Sequence, residues 1–147
     1  MTVAVQILVT VGVLSFAAVA SAADLNRTHA TNPRWVAHAR FHVVWQVFTH
    51  IGIGVLALVL TWVPLGPIGI RVGVAMGISL VVLGGFFLTW ASMRSYGGEL
   101  ADPNGYRPVH VRLGHRRFSI DQNVLLFSVG SSVLAAALIL IVINGGV

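Results

Sequence analysis

Four apolar stretches, at about 3–22, 41–63, 68–92 and 121–143, limit what this chain can fold into. Each is close to the ~20 residues that a helix needs to cross the hydrocarbon core of a bilayer. Between them lie short connections and one polar loop, 93–120, too little for a separate soluble domain. The expected fold is therefore all-α: a single integral-membrane domain over 1–147, built as a four-helix transmembrane bundle with a cytoplasmic polar loop between spans three and four. Composition points the same way. Only 9% of residues are charged, whereas a soluble domain carries about a quarter. The chain has no cysteine, which excludes disulfides, thiolate metal sites and thiol catalysis.

Every one of the nine basic residues is arginine. Their placement is uneven. Arg27, Arg34, Arg40, Arg94, Arg107, Arg112, Arg116 and Arg117 flank the two connections that four spans put on one side, and Arg71 stands alone on the other. The positive-inside rule then places the arginine-rich side in the cytoplasm and both termini outside, as a multi-pass protein of a bacterial-type plasma membrane. Arginines beside spans suit anionic headgroups, so membrane lipids are expected partners and nucleic acid is not. Ala20-Ser21-Ala22 resembles a signal-cleavage site, but no basic residue precedes the apolar run. Cleavage would also move Arg27 and Arg34 outside, so the first span is expected to be retained.

Span two carries the polar residues of most interest. Asn32-Pro33 reads as a helix cap followed by a first-turn proline. From Arg34, steps of four reach His38, His42, Gln46 and His50, a stripe along one helix face. Ionisable groups at membrane depth normally face a protein interior or a wet cavity, which makes the stripe a candidate site. The turn Pro64-Leu65-Gly66-Pro67 makes spans two and three an antiparallel hairpin. Gly69, Gly73 and Gly77 recur in steps of four on span three, a pattern expected to pack inside the bundle, and Arg71 is expected to snorkel outward. In the polar loop, Asp102-Pro103-Asn104-Gly105 is a turn signal. Val109 to Leu113 alternates with period two, so a small hairpin over the end of the bundle is expected. Ser119 and Gln122 have capping-box spacing at the start of span four. His38-Ala39-Arg40-Phe41 before span two is echoed by His115-Arg116-Arg117-Phe118 before span four, as two related hairpins or a coincidence would give.

Three functional readings follow. In the first, His38, Arg40, His42 and His50 perform acid–base chemistry on a lipid-soluble substrate, as an isomerase or cyclase would. Arg34, Trp35, Gln46, Asp24, Asn26 and His29 would then bind that substrate. In the second, the i,i+4 pair His38 and His42 holds copper or zinc. Spans one, three and four lack histidine, which excludes a deep bis-histidine haem within one copy. In the third, the chain is a non-catalytic accessory or scaffold subunit, alone or as a homo-oligomer within a larger membrane complex. No spacing singles out a cofactor or a substrate.

Asn32-Pro33-Arg34-Trp35 followed by His38-Ala39-Arg40-Phe41-His42 resembles a motif of an uncharacterised family of small four-span membrane proteins from bacteria and fungi. The likeness covers mostly 24–50, with a looser echo at Gly98 to Asp102. It implies the four-span layout and gives weight to this motif, and it brings no activity with it.

Overall fold

The computed structural model describes residues 3–144. Four helices are long and apolar enough to cross a membrane: α1 (Val3–Asp24), α2 (Ala37–Trp62), α3 (Ile68–Ser92, drawn out to Ser95 by a short 3₁₀ turn) and α4 (Gln122–Ile143). These features are those of a multi-pass membrane protein. Between α3 and α4 lie two antiparallel strands, β1 (Val109–Leu113) and β2 (Arg116–Ile120). The spans expected from sequence agree with the helices to within a few residues, except where span two begins.

The first helix is the centre of the bundle. In its most apolar window 39% of residues are buried, against 17%, 28% and 22% in α2, α3 and α4. Val5, Val9, Val13, Phe16 and Ala20 run along it in steps of three and four, all buried. They meet Ala57 of α2, Val72, Ala75, Met76 and Leu83 of α3, and Phe127, Leu134 and Ala137 of α4 in one apolar cluster. Ser15–Ala20 within α1 is a π-helical stretch, a widening that concentrates at special positions in helices. It lies at the closest helix approaches, where a side chain on Gly54 would strike Ala17 and one on Gly130 would strike Ser15.

Three sequence expectations are corrected here. Gly73 and Gly77 do not pack in the bundle: both are exposed, and a methyl group at either would meet nothing within 4 Å. The glycines that admit neighbours are Gly12, Gly54 and Gly130, one on each of three helices, so no spacing within a helix announces them. Nor does Arg71 snorkel. It is only 8% exposed, and its guanidinium turns back on the end of α2. There Nη1 donates to the carbonyls of Leu60 (2.7 Å) and Val63 (2.6 Å), and Nε to that of Gly66 (3.0 Å). The last carbonyls of a helix have no partner within it, and a cation there also suits the helix dipole. The third correction concerns α4, which starts after Ile120. Asp121 caps it rather than Ser119, its Oδ1 accepting from the backbone N–H of Asn123 and Val124.

At the Arg71 end, α1 and α2 are also stitched by side chains. Gln6 Nε2 donates to the Thr61 carbonyl at 2.7 Å, and Trp62 Nε1 to Thr10 Oγ1 at 2.9 Å. Donors inside a bilayer have no water to turn to, so each finds an acceptor on a neighbouring helix.

Candidate functional site

The motif opening at Asn32 divides into two structures with different surroundings. Its first half is not helical. The segment between Asp24 and Ala37 is a run of turns, and α2 starts at Ala37, four residues after the proline expected to open it. Asn32 is fully buried because it sits at the junction of the two connections at this end. Its Oδ1 accepts from the Arg34 backbone N–H (3.0 Å) and from Asn104 Nδ2 (3.3 Å). Its Nδ2 donates to the Thr28 carbonyl (2.8 Å) and to Asp102 Oδ1 (3.3 Å). All four hydrogen-bonding positions of this amide are thus used.

Asp102 is the second half of the clasp. Trp35 Nε1 donates to its Oδ2 at 2.9 Å, and the Asn104 N–H to its Oδ1 at 2.7 Å. The Trp35 indole bond, followed by the Asn104 amide, holds the Asp102 carboxyl below its ordinary value, since donors to a carboxylate favour its charged form. Beside it, Asn26 Nδ2 donates to the Tyr106 hydroxyl (2.9 Å) while Asn26 Oδ1 accepts from Thr28. His29 Nδ1 lies 2.7 Å from Thr28 Oγ1 and 3.5 Å from Asp24 Oδ1, and its ring stands edge-on to Trp35. Four of the residues read as substrate-binding (Asp24, Asn26, His29 and Trp35) are therefore gathered into a junction that ties the first connection to the loop. Arg34 contributes its backbone to that junction, and its side chain is exposed.

The second half of the motif lies on α2 and faces away from the bundle. His38, His42 and Gln46 are exposed; His50 and Arg40 are half-buried. His38 and His42 do not face a protein interior, contrary to expectation, whereas Gln46 and His50 border a cleft. His38 and His42 touch, Nε2 to Nε2 at 3.0 Å with the rings edge-on. One ring must donate and the other accept, so their tautomers are linked. His42 continues into an aromatic ladder with Phe41 and Trp45, at centroid distances of 5.8 and 5.9 Å. No enclosed chamber adjoins the pair.

Deeper along the helix, Gln46 and His50 line a cleft of about 360 Å³ between α2 and α3, with Phe86 and Thr89 of α3 and Phe127 of α4 on its other walls. His50 also stands edge-on to Phe16. The nearby hydroxyls of Thr49 and Thr89 donate to carbonyls of their own helices. Gln46 and His50 have no hydrogen-bond partner of this kind among the described residues. With Trp62 at one hydrocarbon boundary, 20 residues of helix place the other near Val43. His50 is then about 10 Å inside the apolar layer and His42 at headgroup level.

For a metal, His38 and His42 supply two nitrogens, and no group of three or more candidate ligands occurs among the described residues; a structural zinc takes four. Sequence reasoning passed over Asn32 as a ligand to the loop, and over Thr28, Asn104 and Tyr106. The one signal available was Asp102 before Pro-Asn-Gly, a turn-forming acceptor whose partner lies 70 residues away. No family model, curated protein or solved structure matches this chain.

Proposed function

We propose that this chain is a non-catalytic subunit of a membrane assembly, and that α2 is the helix that meets the partner. One observation carries the reading: at hydrocarbon depth Gln46 is exposed and His50 is half-buried at the mouth of a cleft, and neither side chain has a hydrogen-bond partner among the described residues. A polar side chain facing lipid is costly and acts as glue between helices when a neighbour supplies the complementary group. The aromatic ladder of Phe41, His42 and Trp45 extends the same face to the headgroup level, where such rings are favoured. The arginine-rich end lies in the cytoplasm in this reading, and the membrane is the plasma membrane.

Acid–base chemistry on a lipid-like substrate is supported less well. His38 and His42 spend their nearest nitrogens on each other on an open face, whereas proton transfer to a lipid gains from a dry, shaped pocket. A second reading has its own observation. The α2–α3 cleft is of small-ligand size, and a lipid-soluble molecule with one polar end would satisfy Gln46 and His50 together.

A photo-activated cross-linker at Thr49, on the same outward face, tests both in native membranes. Adducts with another polypeptide, lost in Gln46→Leu/His50→Leu while the variant stays folded, are the expected result. A small-molecule adduct lost in the same variant supports the second reading. Adducts unaffected by the double substitution refute both.

A further inference from the structure

The β1–β2 hairpin sorts its side chains by face. The register pairs Val109 with Ile120, Val111 with Phe118, His110 with Ser119 and Arg112 with Arg117. Paired residues share a face and alternate along the strands. One face is therefore apolar, with Val109, Val111, Phe118 and Ile120. The other holds His110, Arg112, Arg117 and Ser119 as a square of cross-strand neighbours. The loop is two residues, Gly114 and His115, with a positive φ at Gly114 alone, as a II′ turn requires. The local geometry is thus a deliberate hairpin rather than a slack loop.

Two features of this hairpin are unfavourable by themselves. Arg112 and Arg117 stand directly opposite, and like charges so placed repel. Neither forms a salt bridge with a carboxylate among the described residues, where Asp24 with His29 is the one such contact. The apolar face is also uncovered: Val109, Val111 and Phe118 are 37%, 39% and 45% exposed. A two-stranded hairpin is marginal in water without something on its apolar side. A groove of about 500 Å³ runs along the hairpin, lined by His110, Arg112, Arg117 and Ser119 together with Val111 and Phe118. Placing an anion there would relieve the repulsion.

We propose that the hairpin lies in the membrane interface, its apolar face toward the acyl chains and the Arg112–Arg117 pair clamping the phosphate of an anionic phospholipid. Tethering selects this occupant. Asp121 alone separates β2 from α4, so the hairpin is anchored where a span enters the bilayer. From Arg117 to Asp121 is at most ~13 Å of extended chain, which keeps both arginines within reach of the headgroup layer. A surface of one apolar and one cationic side fits an anionic interface on both counts. Arg116, at the tip on the apolar side, reaches past the turn to headgroups in the manner of long basic side chains.

The absence of cysteine permits a clean test. The full chain bearing His115→Cys is labelled at the turn with an environment-sensitive fluorophore. It is then reconstituted in nanodiscs of phosphatidylcholine alone or mixed with phosphatidylglycerol. The expected result is blue-shifted emission and shielding from an aqueous quencher in the mixed discs only, reversed by high salt. Arg112→Gln/Arg117→Gln weakens docking about 30-fold, from ~1 kcal/mol for each arginine near an anionic surface, and Arg112→Lys/Arg117→Lys restores most of it. Equal emission in both disc types overturns the proposal, as does unchanged docking of the glutamine pair. Displacement by millimolar inorganic phosphate at constant ionic strength would assign the groove to a soluble anion. Shielding by an RNA oligonucleotide in neutral discs would assign it to nucleic acid; either result sinks the lipid assignment.

Discussion

Arg71 offers the sharpest test of how the bundle is held, because two physical accounts of it predict different variants. In the structure its guanidinium is buried against the end of α2 and serves three carbonyls. An arginine that merely reached for headgroups would leave those carbonyls to water. Arg71→Met keeps the stem and removes the donors. A hydrogen bond from a charged donor contributes ~1.5–3 kcal/mol net. Two nitrogens share the three acceptors here, so the scale is ~3–6 kcal/mol if the site stays dry. Water reaching the freed carbonyls and relief from burying a charge both reduce this, leaving ~2–3 kcal/mol. That corresponds to a ~30–150-fold shift in the unfolding constant. Reversible unfolding by titration of sodium dodecyl sulfate into dodecyl maltoside micelles, followed by circular dichroism, measures it. Arg71→Lys has a compact ammonium in place of the fork and should recover about half. If the methionine variant lies within ~0.5 kcal/mol of the parent and lysine equals arginine, the helix-capping account is wrong and headgroup anchoring is right.

Other outcomes follow from the same structure. Trp35→Phe and Asp102→Ala are expected to be non-additive in a double-mutant cycle of thermal stability, since each removes the same bond; additive effects would show the junction to be incidental. The depressed Asp102 carboxyl gives that junction a pH signature. A lowered folded-state value means its stabilisation is present above the ordinary carboxylate value and lost as pH falls through the folded one. Acid titration should therefore loosen Trp35 only below the usual aspartate range, and Asp102→Asn should abolish that step. Gly54→Val should destabilise by ~1–3 kcal/mol through overpacking against Ala17. Gly77→Ala, opening into free space, should be neutral or stabilising by up to ~1 kcal/mol; equal costs at both positions in the detergent titration would contradict the packing described. Gln46→Leu/His50→Leu should leave monomer stability within ~0.5 kcal/mol or raise it, because no intramolecular bond is lost; a large loss would mean that both residues serve the fold.

The four helices could be read from the chain because length and hydropathy are sufficient for a membrane span. The rotation of each helix could not. Where a helix is apolar all round, no contrast between faces tells the core from the lipid side. The stripe from His38 to His50 is legible as a stripe, but not that His38, His42 and Gln46 are exposed while His50 stands half-buried against Phe16. Glycine spacing misled for a related reason: Gly73 and Gly77 repeat within one helix, while the contacts that need glycine join Gly12, Gly54 and Gly130 on different helices. The hairpin was partly legible from the alternation over Val109 to Leu113. The Asn32–Asp102 clasp was not, because pairing two connections 70 residues apart leaves no local trace. Asn32-Pro33 has the chemistry of a helix start, yet the Asn32 amide is shared between Thr28 and Arg34 nearby and Asp102 and Asn104 of the distant loop.

The central place of α1 also bears on the order of assembly. Chains are built from the N-terminus, and domains form as their parts emerge. Of these four helices, the first to be made is the one that shares an apolar cluster with α2, α3 and α4, through Val5, Val9, Val13 and Phe16. Spans α2 and α4 therefore enter a bilayer that already holds α1 to pack on, and α3 enters one that already holds both α1 and its hairpin partner α2. A chain that lost its first span during synthesis would leave three helices without a common seam.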